Sequence, residues 1–246
     1  MLRRSKNWDR HVPQAEELAR SAGFRRLRDR IIALADPGRD EVVIDIGAGT
    51  GLLSLALAPA VHKVWAIDIS PAMTEYLRAK AASAELANLE LTTASAVSLP
   101  LVDASVDVAV SNYCYHHLRD RDKERALAEA FRVIRPGGRL VLADMMFRVA
   151  LADGRNRRVI LSKIVSMLRR GPRGLARLFK NAARYLIGRW EHPADAEWWR
   201  QAVVRAGFEE VELELLDHEG GIVTARRPAL ALPAQADAAP DSALAA

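Results

Sequence analysis

The ten residues from Val42 to Gly51, reading Val-Val-Ile-Asp-Ile-Gly-Ala-Gly-Thr-Gly, restrict what this chain can fold into more than any other stretch. A run of β-branched residues interrupted only by Asp45, followed at once by glycines at 47, 49 and 51, describes a buried strand that stops in a tight turn. Leu52, Leu53, Leu55, Ala56, Leu57 and Ala58 come next with no breaker before Pro59, so a helix is expected there. Strand, glycine loop and helix in that order let a ligand meet bare backbone, with the free N–H groups of a helix start aimed at it. A small polar ligand suits such a loop. The glycines fall at offsets 0, 2 and 4 with Leu52 at offset 5, which departs from the 0, 2, 5 spacing of the nicotinamide-dinucleotide fingerprint and disfavours an oxidoreductase. No Gly-Lys-Ser/Thr follows, so the loop is not a phosphate-binding P-loop either.

A second short apolar strand, Lys63 to Asp68, ends in an acid 21 residues after Gly47, and Ser70-Pro71 behind it supplies a cap and a first-turn proline for a helix. In a doubly wound sheet the end of this strand lies beside the glycine loop, where a carboxylate can accept from both ribose hydroxyls. The ordinary alternative for Asp68 is a helix-capping or surface acid.

The segment from Asp45 to Gly51 resembles motif I of the class I S-adenosylmethionine-dependent methyltransferases. The resemblance implies that Gly47, Ala48, Gly49 and Gly51 pack against the methionine part of the cofactor and that Asp45 helps hold its charged groups. It extends the cofactor's surroundings to Asp68, Ile69, Met73, Ser95, Ala96 and Ser111. Where the family usually reads Asp-Ala after the third strand, this chain has Ser95-Ala96, and a hydroxyl accepts the adenine amino group more weakly than a carboxylate. Arg135-Pro-Gly-Gly138 matches the family's turn before the fifth strand. The expected fold is therefore α/β: a Rossmann-like, seven-stranded, mostly parallel sheet with helices on both faces and a helical insertion before the last two strands.

The fourth strand, Val106 to Val110, opens into Ser111-Asn-Tyr-Cys-Tyr-His-His-Leu118, at the same sheet edge as the glycine loop. His116 and His117 resemble the His-His-Leu that often follows this strand in quinone-type members of the family, and His116, or Tyr113 beside it, is the candidate catalytic residue that orients or deprotonates the methyl acceptor. The plainer role of such an imidazole is to pack and orient the loop. Asn112-Tyr-Cys-Tyr115 differs from the Asn/Asp-Pro-Pro-aromatic of base-amino methyltransferases, which argues against nucleic-acid methylation.

Charge separates one region from the rest. Eleven Arg and Lys and no acid lie between Arg155 and Trp190, +11 against a chain total of +5, so the remainder is −6. At helical spacing the stretch is two-sided: Leu175, Leu178, Phe179, Ala182, Leu186 and Trp190 oppose Arg173, Arg177, Lys180 and Arg184. Such a pair of helices fits a hairpin over the active site, an anionic membrane surface, or both. No metal ligand set is expected. The single Cys114 cannot form an internal disulfide, no apolar run is long enough to span a membrane, and the basic N-terminus lacks an apolar h-region, so a cytoplasmic protein that lies on the inner membrane face is expected. Residues 1–40 read as a helical lid, with one helix from 8 to 35; 41–226 as the methyltransferase domain carrying the 155–190 insertion; and 227–246 as a disordered tail. The acceptor implied is a hydrophobic small molecule or lipid. The competing readings are a regulatory protein that binds the cofactor without transfer, and an RNA methyltransferase.

Overall fold

The structure, a computed structural model, describes residues 7–147 and 192–230, with isolated positions between 154 and 171. Seven strands form one sheet: β1 Val42–Ile46, β2 Lys63–Asp68, β3 Leu89–Thr93, β4 Val106–Asn112, β5 Ile134–Met145, β6 Glu209–Leu215 and β7 Gly220–Arg226. Their order across the sheet is β3-β2-β1-β4-β5-β7-β6. The first five run parallel, and β7 joins β5 and β6 antiparallel. The strand order reverses between β1 and β4, and in sheets of this kind ligands bind at the C-terminal strand ends beside that reversal.

Six described helices cover the sheet: α1 Val12–Arg20, α2 Ala22–Ala35, α3 Ser54–Leu57, α4 Pro71–Ser83, α5 Asp120–Val133 and α6 Ala196–Arg205. β1 is apolar nearly throughout because both of its faces are covered. Val43 joins the layer of Leu27, Ile31, Leu57 and Leu77, whereas Ile44 and Ile46 join the opposite layer of Leu127, Trp199 and Val203. Each fully buried aliphatic side chain contributes about 1.5–3 kcal/mol relative to exposure, so these two layers, not the loops, fix the sheet that carries the site.

Two ties hold the chain where it enters and leaves the sheet. Arg139 on β5 donates to Ala35 O (2.5 Å) and Asp36 O (2.6 Å) and pairs with Glu41, which places a cation on the carbonyl end of α2. Lys123 on α5 is wholly buried and donates to Asp120 Oδ1 (2.7 Å) and to His192 O (2.5 Å), latching the chain where it returns to the body of the fold. His192 N also donates to His116 O at 2.8 Å.

The expected fold class is the observed one, and three local expectations change. The single helix expected over 8–35 is a 3-10 turn at Trp8–His11 followed by two helices, because Ser21 adopts an extended ψ of 147° and its hydroxyl caps Phe24 N. The helix behind the glycine loop is one turn, since residues 51–53 are still turning when Ser54 is reached and Pro59 sits in a 3-10 turn immediately afterwards. Arg135-Pro-Gly-Gly138 forms the irregular start of β5 and not a separate turn, with Gly137 at φ 81° and a register shift against β4 between Val106 and Val108. Only one of the two glycines takes a positive φ; a Cβ on Gly138 would strike Asp107 O. The basic hairpin of 155–190 and the tail beyond 230 lie outside the described residues, apart from isolated positions of the first basic segment.

Candidate functional site

The glycine loop crosses the C-terminal end of β1 and is tied to β2 by Gly47 N and Ala48 N, which both donate to Ile67 O (2.8 and 3.0 Å). All three glycines have positive φ: 77° at Gly47, 54° at Gly49 and 89° at Gly51. Their surroundings differ. A Cβ on Gly47 would run into the Cys114 thiol and one on Gly51 into Leu77, whereas one on Gly49 would meet nothing within 4 Å. The outer glycines let protein pack against the loop, and the middle one presents bare backbone to open space. That is the cradle a small ligand needs.

Two carboxylates flank the cradle. Asp45 lies beneath it, 1% exposed, and accepts from Ser54 N (3.0 Å) and Ser54 Oγ (2.5 Å), stapling the loop to α3. Burial pushes its carboxyl up to about 7, with the neighbouring charge of Asp68 adding to the effect against the Ser54 hydrogen bonds. Asp68 ends β2 beside the loop, its Oδ2 accepting from Gly49 N (2.8 Å) and its Oδ1 from Ser70 N (2.9 Å). Burial also raises Asp68, partly offset by these backbone donors. Next to it Ile69 is half exposed at the same edge, which offers an apolar surface to a flat ring. Ser95 and Ala96 follow β3, half-buried, with Ser95 Oγ accepting from Val97 N at 3.4 Å.

Two further expected members are buried. Ser111 is 1% exposed and donates its hydroxyl to Ile46 O (2.7 Å), joining β4 to the end of β1 under the loop. Met73 is 4% exposed inside α4, and its N–H donates to the Ser70 cap.

The loop after β4 lies across the cleft. Tyr113 is held at φ 52°, an uncommon value for a side chain of its size, by a backbone bond to Ala143 O (2.8 Å). Its ring packs on Phe24 of α2 (5.4 Å between centroids) and edge-on to His116 (5.8 Å), and its hydroxyl reaches His218 Nδ1 at 3.4 Å. The His116 ring is 3.8 Å from that of His117, which in turn meets Trp8 at 4.3 Å. His116 and Tyr113 are therefore brought together as expected, and both stand on the loop side of the glycine cradle.

Sequence reasoning missed three residues here. Asp144, wholly buried at the end of β5, accepts from His116 Nδ1 (2.7 Å) and His116 N (3.0 Å). Asp9 accepts from Ser70 Oγ (2.6 Å) at the start of α4, and Trp8 beside it covers His117. Only the expectation of a lid from the N-terminal residues pointed this way; the pairings span 61 and 109 residues and carry no local signal.

Cys114 sits between the acids, its thiol raised by burial and then by the charges of Asp68, Asp144 and Asp45, which leaves it an inert packing group for Gly47. Burial likewise raises the Tyr115 phenol, a core ring packed edge-on to Trp199. Among the described residues no group of three or more His, Cys, Asp or Glu is placed to hold a metal ion.

Comparison with known proteins gives the same outline. Residues 43–138 match a family described as a methyltransferase domain. An uncharacterized methyltransferase of Geobacillus kaustophilus is 32% identical over 146 residues, 58% of this chain and 64% of the relative. An arsenite methyltransferase of Halobacterium salinarum is 32% identical over 128 residues, 50% of this chain and 32% of the relative. The chain thus spans well under the full length of these curated relatives, 48% of another from Anoxybacillus flavithermus. Among solved structures, a SAM-dependent methyltransferase from Aquifex aeolicus superposes with a TM-score of 0.62 at 18% identity, covering 87% of this chain and 97% of that one. The [4+2]-cyclase SpnF superposes with a TM-score of 0.68 at 18% identity, covering 92% and 95%. Likeness at this identity establishes the shared fold.

Proposed function

We propose that this chain, whose residues 43–138 match a methyltransferase domain, is a class I S-adenosylmethionine-dependent methyltransferase that transfers the methyl group of S-adenosylmethionine to a hydrophobic small molecule or lipid. The observation that carries this reading is the convergence, at one sheet edge, of an open glycine backbone at Gly49, a ribose-height carboxylate at Asp68 and an aromatic and imidazole wall at Tyr113, His116, His117 and Trp8. The residues present fit the cofactor. Gly47 to Gly51 would face its methionine part, Asp68 its ribose and Ile69 its adenine, with Ser95 as acceptor for the ring's amino group. Asp45 supplies negative charge from beneath. The cofactor brings a methyl group already activated by a positive sulfur, so the protein's share is to align the acceptor in line with it and to exclude water.

Calorimetric titration with S-adenosylmethionine, S-adenosylhomocysteine and NADH side by side tests the cofactor. Binding of both sulfur nucleotides and not NADH is expected. Binding of none of them would remove the basis of the reading. Binding without transfer to any acceptor would favour a regulatory protein.

The lipid side of the proposal rests on the +11 stretch and on Leu161, Val165 and Leu168, which recur at helical spacing and are 53%, 44% and 48% exposed. Among the described residues no helix is long and apolar enough to cross a membrane, so contact would be at the surface. Flotation with vesicles containing about 30% anionic lipid should carry the protein upward, and equal recovery with neutral vesicles would end the membrane reading.

A further inference from the structure

The contact that the cofactor site does not use is the one between Asp144 and His116. Asp144 is wholly buried and holds both the ring and the backbone of His116: Oδ1 accepts from His116 Nδ1 (2.7 Å) and from Met145 N (2.6 Å), and Oδ2 accepts from His116 N (3.0 Å). The opposite side of the loop is pinned as well, since His116 O accepts from His192 N (2.8 Å). A carboxylate on Nδ1 keeps the proton on that nitrogen, which leaves the lone pair on Nε2. Among the described residues, the titratable groups beside this pair are His117, Tyr113, Cys114 and Tyr115 on the same loop, with His218 reaching Tyr113 from the β6–β7 side.

Such a device is superfluous for many methyl acceptors. A thiolate already holds its electron pair, and a neutral amine sheds its proton after transfer. A hydroxyl is different, because its proton must leave as the carbon–oxygen bond forms. Imidazole takes the proton of an acidic phenol or enol readily, and that of an alcohol only in concert with bond formation at oxygen.

We infer that Asp144 is a positioning residue that makes His116 Nε2 a general base, that the acceptor is therefore a hydroxyl, and that the flat rings beside the base favour one on a conjugated ring, a phenol or enol. This rests on the methyltransferase reading. The O–H proton passes to Nε2 while an oxygen lone pair forms the bond to the methyl carbon, and the electrons of the broken carbon–sulfur bond stay on sulfur. The products are a methyl ether, the neutral thioether and an imidazolium that returns its proton to water. The apolar rings of Trp8, Phe24 and Tyr113 beside the base suit a flat acceptor.

The test offers the full chain, with S-adenosylmethionine, a panel of simple phenols, aliphatic alcohols, amines and thiols, and detects methylated product by mass. Transfer to phenols is expected, with kcat rising with pH along one ionisation. Asp144→Asn should lower kcat by about 10²-fold or more with cofactor affinity and KM little changed, and His116→Gln should do at least as much. Nitrogen NMR of labelled histidine reads the positioning directly and without turnover: the wild-type His116 should carry its proton on Nδ1, and Asp144→Asn should move it to Nε2. Should either variant fail to fold, the wild-type pH profile and tautomer still decide. Transfer confined to amines or thiols, a proton on Nε2 in the wild type, or cofactor binding with no transfer to any hydroxyl would overturn the inference. Failure of the cofactor itself to bind would overturn the methyltransferase reading first.

Discussion

Asp45 is the residue whose titration most affects the loop. An aspartate ionises at its ordinary 3.8 in the unfolded chain and here at about 7, so between those values the folded state holds a proton that the unfolded state has released. Its contribution to stability is fully favourable below about 4 and is lost as pH rises towards 7. Asp45→Asn keeps an oxygen for the Ser54 donors and removes the charge. The variant should gain stability relative to the parent as pH rises from 4.5 to 8, read from urea melts, and should bind S-adenosylmethionine about tenfold more weakly at pH 8, read by calorimetry. A parallel pH dependence for the two proteins would show that Asp45 is not the titrating group. The position of this acid was plain in the sequence, at the end of a strand before glycines; its inward turn onto Ser54 was not, because one turn of α3 had to fold back over β1 to supply the donors.

At the scale of elements, the glycine loop divides into positions that hold the fold and one that faces the ligand. Gly51→Ala sets a Cβ against Leu77 on α4 at φ 89° and should cost about 2–4 kcal/mol of stability. Gly49→Ala meets only the conformational penalty of about 1 kcal/mol, and its effect should fall on cofactor affinity. Denaturation and titration of both variants check this; equal stability losses would contradict the division. The loop, β1, β2 and the closing β6–β7 hairpin were legible because each has its own punctuation: glycines after Ile46, Ser70-Pro71 after Asp68, and Gly220-Gly221 before Ile222. The break at Ser21 was less so, since Ser-Ala-Gly in a helical pattern is a weak signal until Phe24 N finds the hydroxyl. Asp144 shows a further limit. Its place at the end of β5 could be read, but its meeting with His116 depends on the β4–β5 register that pairs Asn112 with Ala143, and that register carries no local signature.

Across the whole molecule, the surroundings of His116 are assembled from distant pieces: the N-terminal turn, the loop after β4, and the chain at His192. Lys123 is what fastens the last of these, with its ammonium on His192 O and Asp120 and 5.2 Å from the Trp198 ring. Lys123→Met keeps the buried stem and loses the latch, and should lower stability by about 1–3 kcal/mol, measured in urea. Because His192 also bonds His116, turnover in the same variant should fall by more than the unfolded fraction accounts for. Turnover that follows folded population alone would make the latch purely structural.

The three carboxylates whose charges converge on Cys114, Asp45, Asp68 and Asp144, give the cleft a sign as well as a shape. A cleft of that sign favours a cation over the neutral species left once its methyl group is given up. The same acids that are costly to bury would therefore favour the exchange of a spent thioether for a charged donor.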